Sequence, residues 1–266
     1  MLPVFQFAVG AAAALLLMRQ RRTYRQAIRL GSATLETLLN AIDANDEDTG
    51  RHVRRVAQYA LELADAAGLS ESETRSVERV ALFHDIGKIH EALFDILHDG
   101  SRLSPEARRA IKTHPARGAK VLEPLHAFYP DLPAGVLAHH ERWDGTGYPR
   151  RLKGRRIPQT ARIVAIVDAF DAITHGRDYS RALSRERARE ALLAGRGTQF
   201  DPDLVDLFLS PMVQECVADI RLGSGKRGRG SNRRGERAQS APDLIFRWWP
   251  ATPARRPRRR PRRTAS

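Results

Sequence analysis

The sequence predicts an all-α protein. Apolar residues recur at helical spacing from about residue 23 to about residue 210. No paired alternating segments read as strands, and aromatic residues make up only 6% of the 266. That low share argues against a β-sandwich or an aromatic carbohydrate groove. With 42% hydrophobic and 29% charged residues, the chain suits one globular domain plus extensions.

Residues 1–18 carry no charge, and Gln6 is their most polar side chain. As a helix rising ~1.5 Å per residue they span roughly 27 Å, close to the ~30 Å hydrocarbon core of a bilayer. Arg19, Arg21, Arg22 and Arg25 follow directly. A cleaved signal peptide places its charges before the apolar run. This order predicts a membrane anchor over 1–18 at the inner (cytoplasmic) membrane, with the body in the cytoplasm. An apolar helix packed on a partner, or the last span of a longer protein, are the alternatives. Residues 19–43 form a juxtamembrane segment. Within it 23–43 read as a helix with Leu35, Leu38, Leu39 and Ile42 on one face, suited to packing on the domain or to a homodimer.

The main domain is expected over 44–212. Val53, Val56, Ala60, Leu63 and Ala67 form a stripe that Gly68 stops. Ser70 and Glu73 spell a capping box for a helix through Val77, Val80, Ala81 and Leu82, ending near Gly87. Ser104-Pro105-Glu106 marks another start, with Pro at the first helical position. Pro133 to His140 reads as a helix closed by a Gly145/Gly147/Pro149 loop. Ala161 to Ile173 is apolar enough for a buried strand, but its length and two Asp at i and i+3 favour a buried helix. Ser184–Ala194 and Asp203–Leu209 are the last helices expected. After Leu222 the chain turns Gly/Ser/Arg-rich and then Pro/Arg-rich, a composition that cannot build a core. Residues 223–266 are therefore expected to be a disordered tail.

The formal net charge of +14 is concentrated in that tail. From Arg221 to Ser266 there are 15 Lys and Arg against two acids, leaving 30 basic against 29 acidic groups elsewhere. Polyanion affinity therefore belongs to the tail, toward anionic lipid or nucleic acid, and not to a groove on the body. The single cysteine, Cys216, excludes a disulfide framework and an iron–sulfur site.

Chemistry is concentrated in the histidines. His84-Asp85 ends an apolar helix, where a carboxylate is costly unless paired or metal-bound. A plain His–Asp hydrogen bond closing the helix would explain that dipeptide alone. His139-His140-Glu141 adds weight to a metal. Neighbouring His residues differ by ~100° around a helix, so they reach one ion only where the helix frays, or serve it from different sides. His52, His114 and Asp168 lie on other helices of the same core.

HDIGK at 84–88, HHERWDGTGYP at 139–149, ARIVAIVDAFDAI at 161–173 and GTQFDPDLVDLF at 197–208 resemble the HD-GYP subfamily of HD-domain metal-dependent phosphohydrolases. The likeness covers roughly residues 40–210. It implies an HD-domain helical bundle with a GYP loop. The implied reaction is hydrolysis of cyclic di-GMP to pGpG, with a second cut to GMP open to it. It also implies metal ligands at His52, His84, Asp85, His114, His139, His140 and Asp168. In this scheme Asp85 bridges two divalent ions. His52, His84 and Asp168 complete one site; His114, His139 and His140 complete the other. Two octahedral positions then remain at each ion, room for a bridging hydroxide and a phosphate oxygen. Imidazole and carboxylate without thiolate suit Fe or Mn.

The resemblance also places Lys88, beside catalytic Asp85, against a phosphate oxygen, and gives Tyr148 and Arg177 substrate contacts. Asp46 and Asp171 match further substrate-side or ligand-supporting positions. Two departures touch the substrate groove. HEALFDILHDGSRL at 90–103 is one residue longer than usual and lacks Lys-Pro-Gly. RDYS at 177–180 puts Ser180 where a basic residue is usual, with Arg181 next to it. Subfamily members with a third metal carry Glu four residues before the first ligand His. Here that position is Asp48, one methylene shorter, so two metals are expected, with Asp48 capping the helix through Thr49 and Gly50. Rival readings are hydrolysis of another cyclic dinucleotide or a nucleotide monophosphate, or a non-hydrolysing adaptor whose GYP loop docks a diguanylate cyclase. His90, His98, His126 and His175 are expected to be surface histidines.

Overall fold

In the computed structural model, residues 2–89, 109–175 and 182–221 are described, without the side chains of 2–13, Asn45 and Arg221. The chain divides into two units, Met1–Gly225 and Lys226–Ser266. The second lies outside the described residues, as do the tail expectation, the helix start at Ser104, His90, His98, Arg177, Ser180 and Arg181.

Every named element of the described residues is helical. α1 (Leu2–Asn45) is one continuous helix, so residues 2–18, expected as an anchor, and 19–43, expected as a separate segment, lie in a single helix. Among the described residues no helix is long and apolar enough to cross a membrane. Leu35, Leu39 and Ile42 seat the C-terminal end of α1 on the body, whereas Leu15, Leu16, Leu17, Tyr24 and Leu30 are exposed.

α2 (Glu47–Ala66) starts one residue later. Its N-cap is Asp46, whose carboxylate accepts from the Asp48 N–H and the Thr49 hydroxyl. This corrects the expected cap: Asp48 sits inside the first turn, exposed, and pairs with Arg51. Asp46, expected beside the substrate, is committed to the helix end. Arg54 of α2 pairs with Asp43 of α1 and fixes the corner between the two helices.

α2 is the central helix. It packs on α1, α3 (Glu71–Phe83), α6 (Gln159–His175), α8 (Pro202–Phe208) and α9 (Pro211–Arg221). Its stripe of Val53, Val56, Tyr59, Ala60 and Leu63 is buried among Val77, Val80, Ile163, Val167 and Phe170. Tyr59 and Phe208 both meet Phe170 edge to face, with ring centroids 5.7 and 5.2 Å apart, a favourable geometry for the aromatic quadrupoles. The Ser70–Glu73 capping box of α3 is formed in both directions. α4 (His114–Leu122) and α5 (Asp131–Ala138) pack against each other, and α7 (Arg185–Gly195) lies on α6.

The segment 159–175 is the buried helix expected there. Helix α9 is an addition: the sequence reading stopped at Leu209, yet Val213 and Val217, one turn apart, are buried. The helix before the GYP loop ends at Ala138, and His139 is its C-cap.

Candidate metal centre

The candidate ligands sit where helices end. His84 is the C-cap of α3 and Asp85 the next residue, followed by a 3-10 turn over Ile86–Ile89 that carries Lys88. His139 caps α5 and His140 follows it. His114 opens α4. Only His52, in the second turn of α2, and Asp168, midway along α6, lie within helices. Adjacent His-Asp and His-His pairs can converge here because the ~100° rule lapses once the helix has ended.

Close backbone approach makes the convergence possible. A Cβ on Gly87 would lie 2.1 Å from the His114 carbonyl oxygen and 2.7 Å from the Gly118 nitrogen. Only glycine lets the turn after His84-Asp85 touch α4.

The Asp85 carboxylate is the centre. Its Oδ1 lies 3.3 Å from His114 Nε2 and 3.9 Å from His139 Nε2. Its Oδ2 lies 3.4 Å from His84 Nε2 and 4.0 Å from His52 Nε2. The structure thus groups Asp85, His114, His139 and His140 on one side, and His52, His84 and Asp85 on the other. Asp168 Oδ1 joins the second group, 3.2 Å from His52 Nε2 and 3.8 Å from His84 Nε2. All seven expected ligands therefore meet.

The imidazole tautomers follow from what backs each ring. His84 Nδ1 lies 2.8 Å from the Ala81 carbonyl, His114 Nδ1 2.7 Å from Ile111 and His139 Nδ1 2.6 Å from Val136. A carbonyl only accepts, so each Nδ1 carries a proton and each Nε2 is the ring nitrogen left facing the cluster. His52 Nδ1 is backed by the Asp171 carboxylate at 2.7 Å.

Two buried atoms, His84 Nε2 and Asp85 Oδ1, find no hydrogen-bond donor. Such groups are expensive inside a protein unless something else satisfies them. A divalent cation fits them. Burial, then His140 and His84, push His139 well below the usual imidazole range, and burial, then His114, lower His140 to about 3. Both are therefore neutral, the form that binds metal. Burial opposes ionisation of Asp85, yet the Lys88 ammonium beside it holds its carboxyl well below the usual carboxylate range.

Lys88 Nζ donates to Asp85 Oδ2 at 2.6 Å. Tyr148 stacks on His140, ring centroids 5.0 Å apart. Burial, then Asp85 and Asp168, raise its phenol above the ordinary value, so it keeps its proton. Glu141, buried at the foot of the GYP loop, accepts from the Arg150 N–H at 2.6 Å and the Leu152 N–H at 3.0 Å. A Cβ on Gly147 would lie 2.3 Å from the Arg142 nitrogen, so the loop folds back tightly on this glutamate. Arg177, expected beside the substrate, falls outside the described residues.

Asp171 is 1% exposed, and its carboxylate lies against His52, a ligand-supporting position. It faces Arg55, 2.8 Å from Nε and 2.9 Å from Nη2, and His175 Nδ1 at 2.9 Å, besides His52. His175 is thus a partner of this carboxylate and not a free surface histidine. Sequence reasoning missed Arg55 and the role of Glu141. Arg55 lies three residues after His52 and His175 four after Asp171, spacings that share a helix face.

The HD domain family model matches residues 36–204. The chain is 40% identical over 174 residues to 3'3'-cGAMP-specific phosphodiesterase 2 of Vibrio cholerae, covering 65% of this chain and 33% of that protein. It is 39% identical over 183 residues to the cyclic di-GMP phosphodiesterase response regulator RpfG of Xanthomonas campestris, covering 68% and 48%. A cyclic di-GMP phosphodiesterase of Thermotoga maritima is 35% identical over 187 residues, covering 70% and 50%. The chain thus spans a third to a half of these relatives. The solved structure of a cyclic GMP-AMP specific phosphodiesterase of V. cholerae superposes with a TM-score of 0.51 at 24% identity, covering 72% of this chain and 50% of that one. The HD domain of PgpH from L. monocytogenes superposes with 0.51 at 20% identity, covering 72% and 98%. At these identities the structural likeness carries the fold.

Proposed function

This chain belongs to the HD domain family, and from that premise we propose that it is a metal-dependent phosphodiesterase that opens a cyclic dinucleotide, cyclic di-GMP first among them. One observation carries the reading: the two oxygens of a buried carboxylate, Asp85, face two separate groups of imidazoles. An adaptor that only binds a partner has no use for such a set. The relatives act on cyclic di-GMP or 3'3'-cGAMP by name, so both belong to the substrate class.

His52, His84, Asp85 and Asp168 would hold one divalent ion, and Asp85, His114, His139 and His140 the other. Bound there, such ions lower the pKa of water and polarise a phosphate oxygen. The nitrogen and oxygen donors, without thiolate, suit Fe or Mn. The rest is done by the chain. Lys88 brings an ammonium to the edge of the cluster, where it can donate to a phosphoryl oxygen as charge builds on it. Tyr148 holds a neutral hydroxyl and a ring face at the same mouth. Glu141 fixes the loop that presents Tyr148. The first cut gives linear pGpG and a second gives GMP.

The test is turnover by the purified full chain, loaded with Fe or Mn without oxygen, of cyclic di-GMP, 3'3'-cGAMP and pGpG, with products resolved chromatographically. Asp85→Ala is expected to bind no metal and turn over nothing while remaining helical. Turnover of none of the three by metal-loaded wild type would overturn the reading. Membrane attachment through residues 1–18 is a separate proposal that rests on the charge-free run before four arginines. Fractionation tests it, and wholly soluble full-length protein would remove it.

A further inference from the structure

The two halves of the centre are built differently. Three imidazoles, His84, His114 and His139, are backed by main-chain carbonyls. His52 is backed by a carboxylate, and that carboxylate is itself held by a guanidinium. Asp171 uses both oxygens fully: Oδ1 accepts from Arg55 Nε and His175 Nδ1, Oδ2 from Arg55 Nη2 and His52 Nδ1. Four donors meet the four lone-pair positions of one carboxylate. Arg55 supplies two of them as a planar fork, the geometry that matches a carboxylate bidentately.

We infer that Arg55, through Asp171, is a positioning residue that locks His52 with its Nε2 facing the cluster and thereby supports the His52/His84/Asp168 ion selectively. The inference rests on the metal-centre reading above and deepens it. With the fork in place, both oxygens of Asp171 are held by Arg55, so the carboxylate cannot turn away from His52 Nδ1. Without it the carboxylate loses two of its four donors and no longer fixes the ring orientation and Nδ1–H form of His52. A carboxylate behind a ligand imidazole also makes that imidazole a stronger donor than a carbonyl does. In the other half His114 and His139 rest on main-chain carbonyls, so loss of Arg55 weakens one half of the centre and spares the other.

The test titrates Mn into the metal-stripped full chain by calorimetry and counts bound metal after dialysis, for wild type, Arg55→Ala and Arg55→Lys. Wild type is expected to bind two equivalents. Arg55→Ala keeps one at wild-type affinity and binds the other roughly 10–100-fold more weakly. Arg55→Lys falls between, since an ammonium restores the charge but not the fork. A second readout is the His52 tautomer in metal-free protein labelled with nitrogen-15 histidine. It is expected to be the Nδ1–H form in wild type and a mixture in Arg55→Ala. Two equivalents at wild-type affinity in Arg55→Ala, or equal weakening of both, would overturn the inference. Should Arg55→Ala lose its helical signal, Arg55→Lys decides it: two wild-type affinities and a pure Nδ1–H tautomer there also overturn it. Wild type that takes up no Mn would remove the metal centre and this inference together. Wild type that binds metal but cleaves no cyclic dinucleotide would remove only the substrate reading.

Discussion

The Nε2 atoms of His114 and His139 lie 3.1 Å apart while both Nδ1 protons are committed to carbonyls. Two bare lone pairs at that separation repel unless a proton or a cation lies between them. Burial and the neighbouring histidines disfavour the proton at His139. The pair is arranged as co-ligands arrange themselves, and the consequences can be measured.

Lys88→Ala is expected to keep both metal equivalents and lose turnover by about 10²–10³-fold, the usual effect of removing one preorganised donor from a charge that builds in the transition state. The comparison of metal content with kcat separates this role from ligation. Loss of metal in step with activity would show that Lys88 instead holds Asp85 in place.

The metal-stripped protein should lose stability as the solution is acidified. His140 has its folded pKa lowered to about 3 by burial, then His114, against ~6.5 unfolded. Below pH 6.5 the unfolded chain gains a proton the folded one refuses, so stability falls from there toward pH 3. The slope is on the order of 1.4 kcal/mol per pH unit for one such histidine. Below about pH 4 the depressed Asp171 adds a loss of the same sign, because its paired carboxylate is then protonated in the unfolded chain. Denaturant midpoints between pH 7.5 and 4 check this, and a flat profile would contradict it.

Gly87→Ala should damage the centre without touching a ligand. Its Cβ would meet the main chain of α4 at His114 and Gly118, so the turn and the helix must separate. Overpacking of this kind costs about 1–3 kcal/mol. The expected readout is a lower melting temperature together with weaker Mn binding, since Asp85 and His114 move apart.

Asp48→Ala should change neither metal count nor fold. Its side chain is 73% exposed and paired with Arg51. Exposed pairs of this type contribute at most about 1 kcal/mol. A fall from three equivalents to two would show that this carboxylate reaches the cluster.

The fold was legible where periodicity is long and strongly capped. Ser70 with Glu73 announces α3, and the apolar run of α6 declares a buried helix. It was not legible at α9, where only Val213 and Val217 anchor a short element against Gly- and Arg-rich sequence. Nor could composition decide between Asp46 and Asp48 as the cap of α2, because both are acceptors near the same turn and only backbone conformation chooses. The seven candidate ligands were named by the resemblance of HDIGK, HHERWDGTGYP and ARIVAIVDAFDAI to the HD-GYP subfamily; the costly His-Asp and His-His pairs alone only made a metal a candidate. The support behind the ligands was not legible. Arg55 and His175 look like ordinary surface residues until α2 and α6 are laid side by side and Asp171 is found between them.

Glu141 has a consequence for whatever enters the centre. Its carboxylate already gathers the main-chain N–H groups of Arg150 and Leu152, and Gly147 lets the strap between them close on Glu141 itself. The conformational entropy of this loop is surrendered during folding, not at the encounter. An arriving ligand meets Tyr148 already immobilised on His140, and its affinity is not reduced by the ordering of a slack segment.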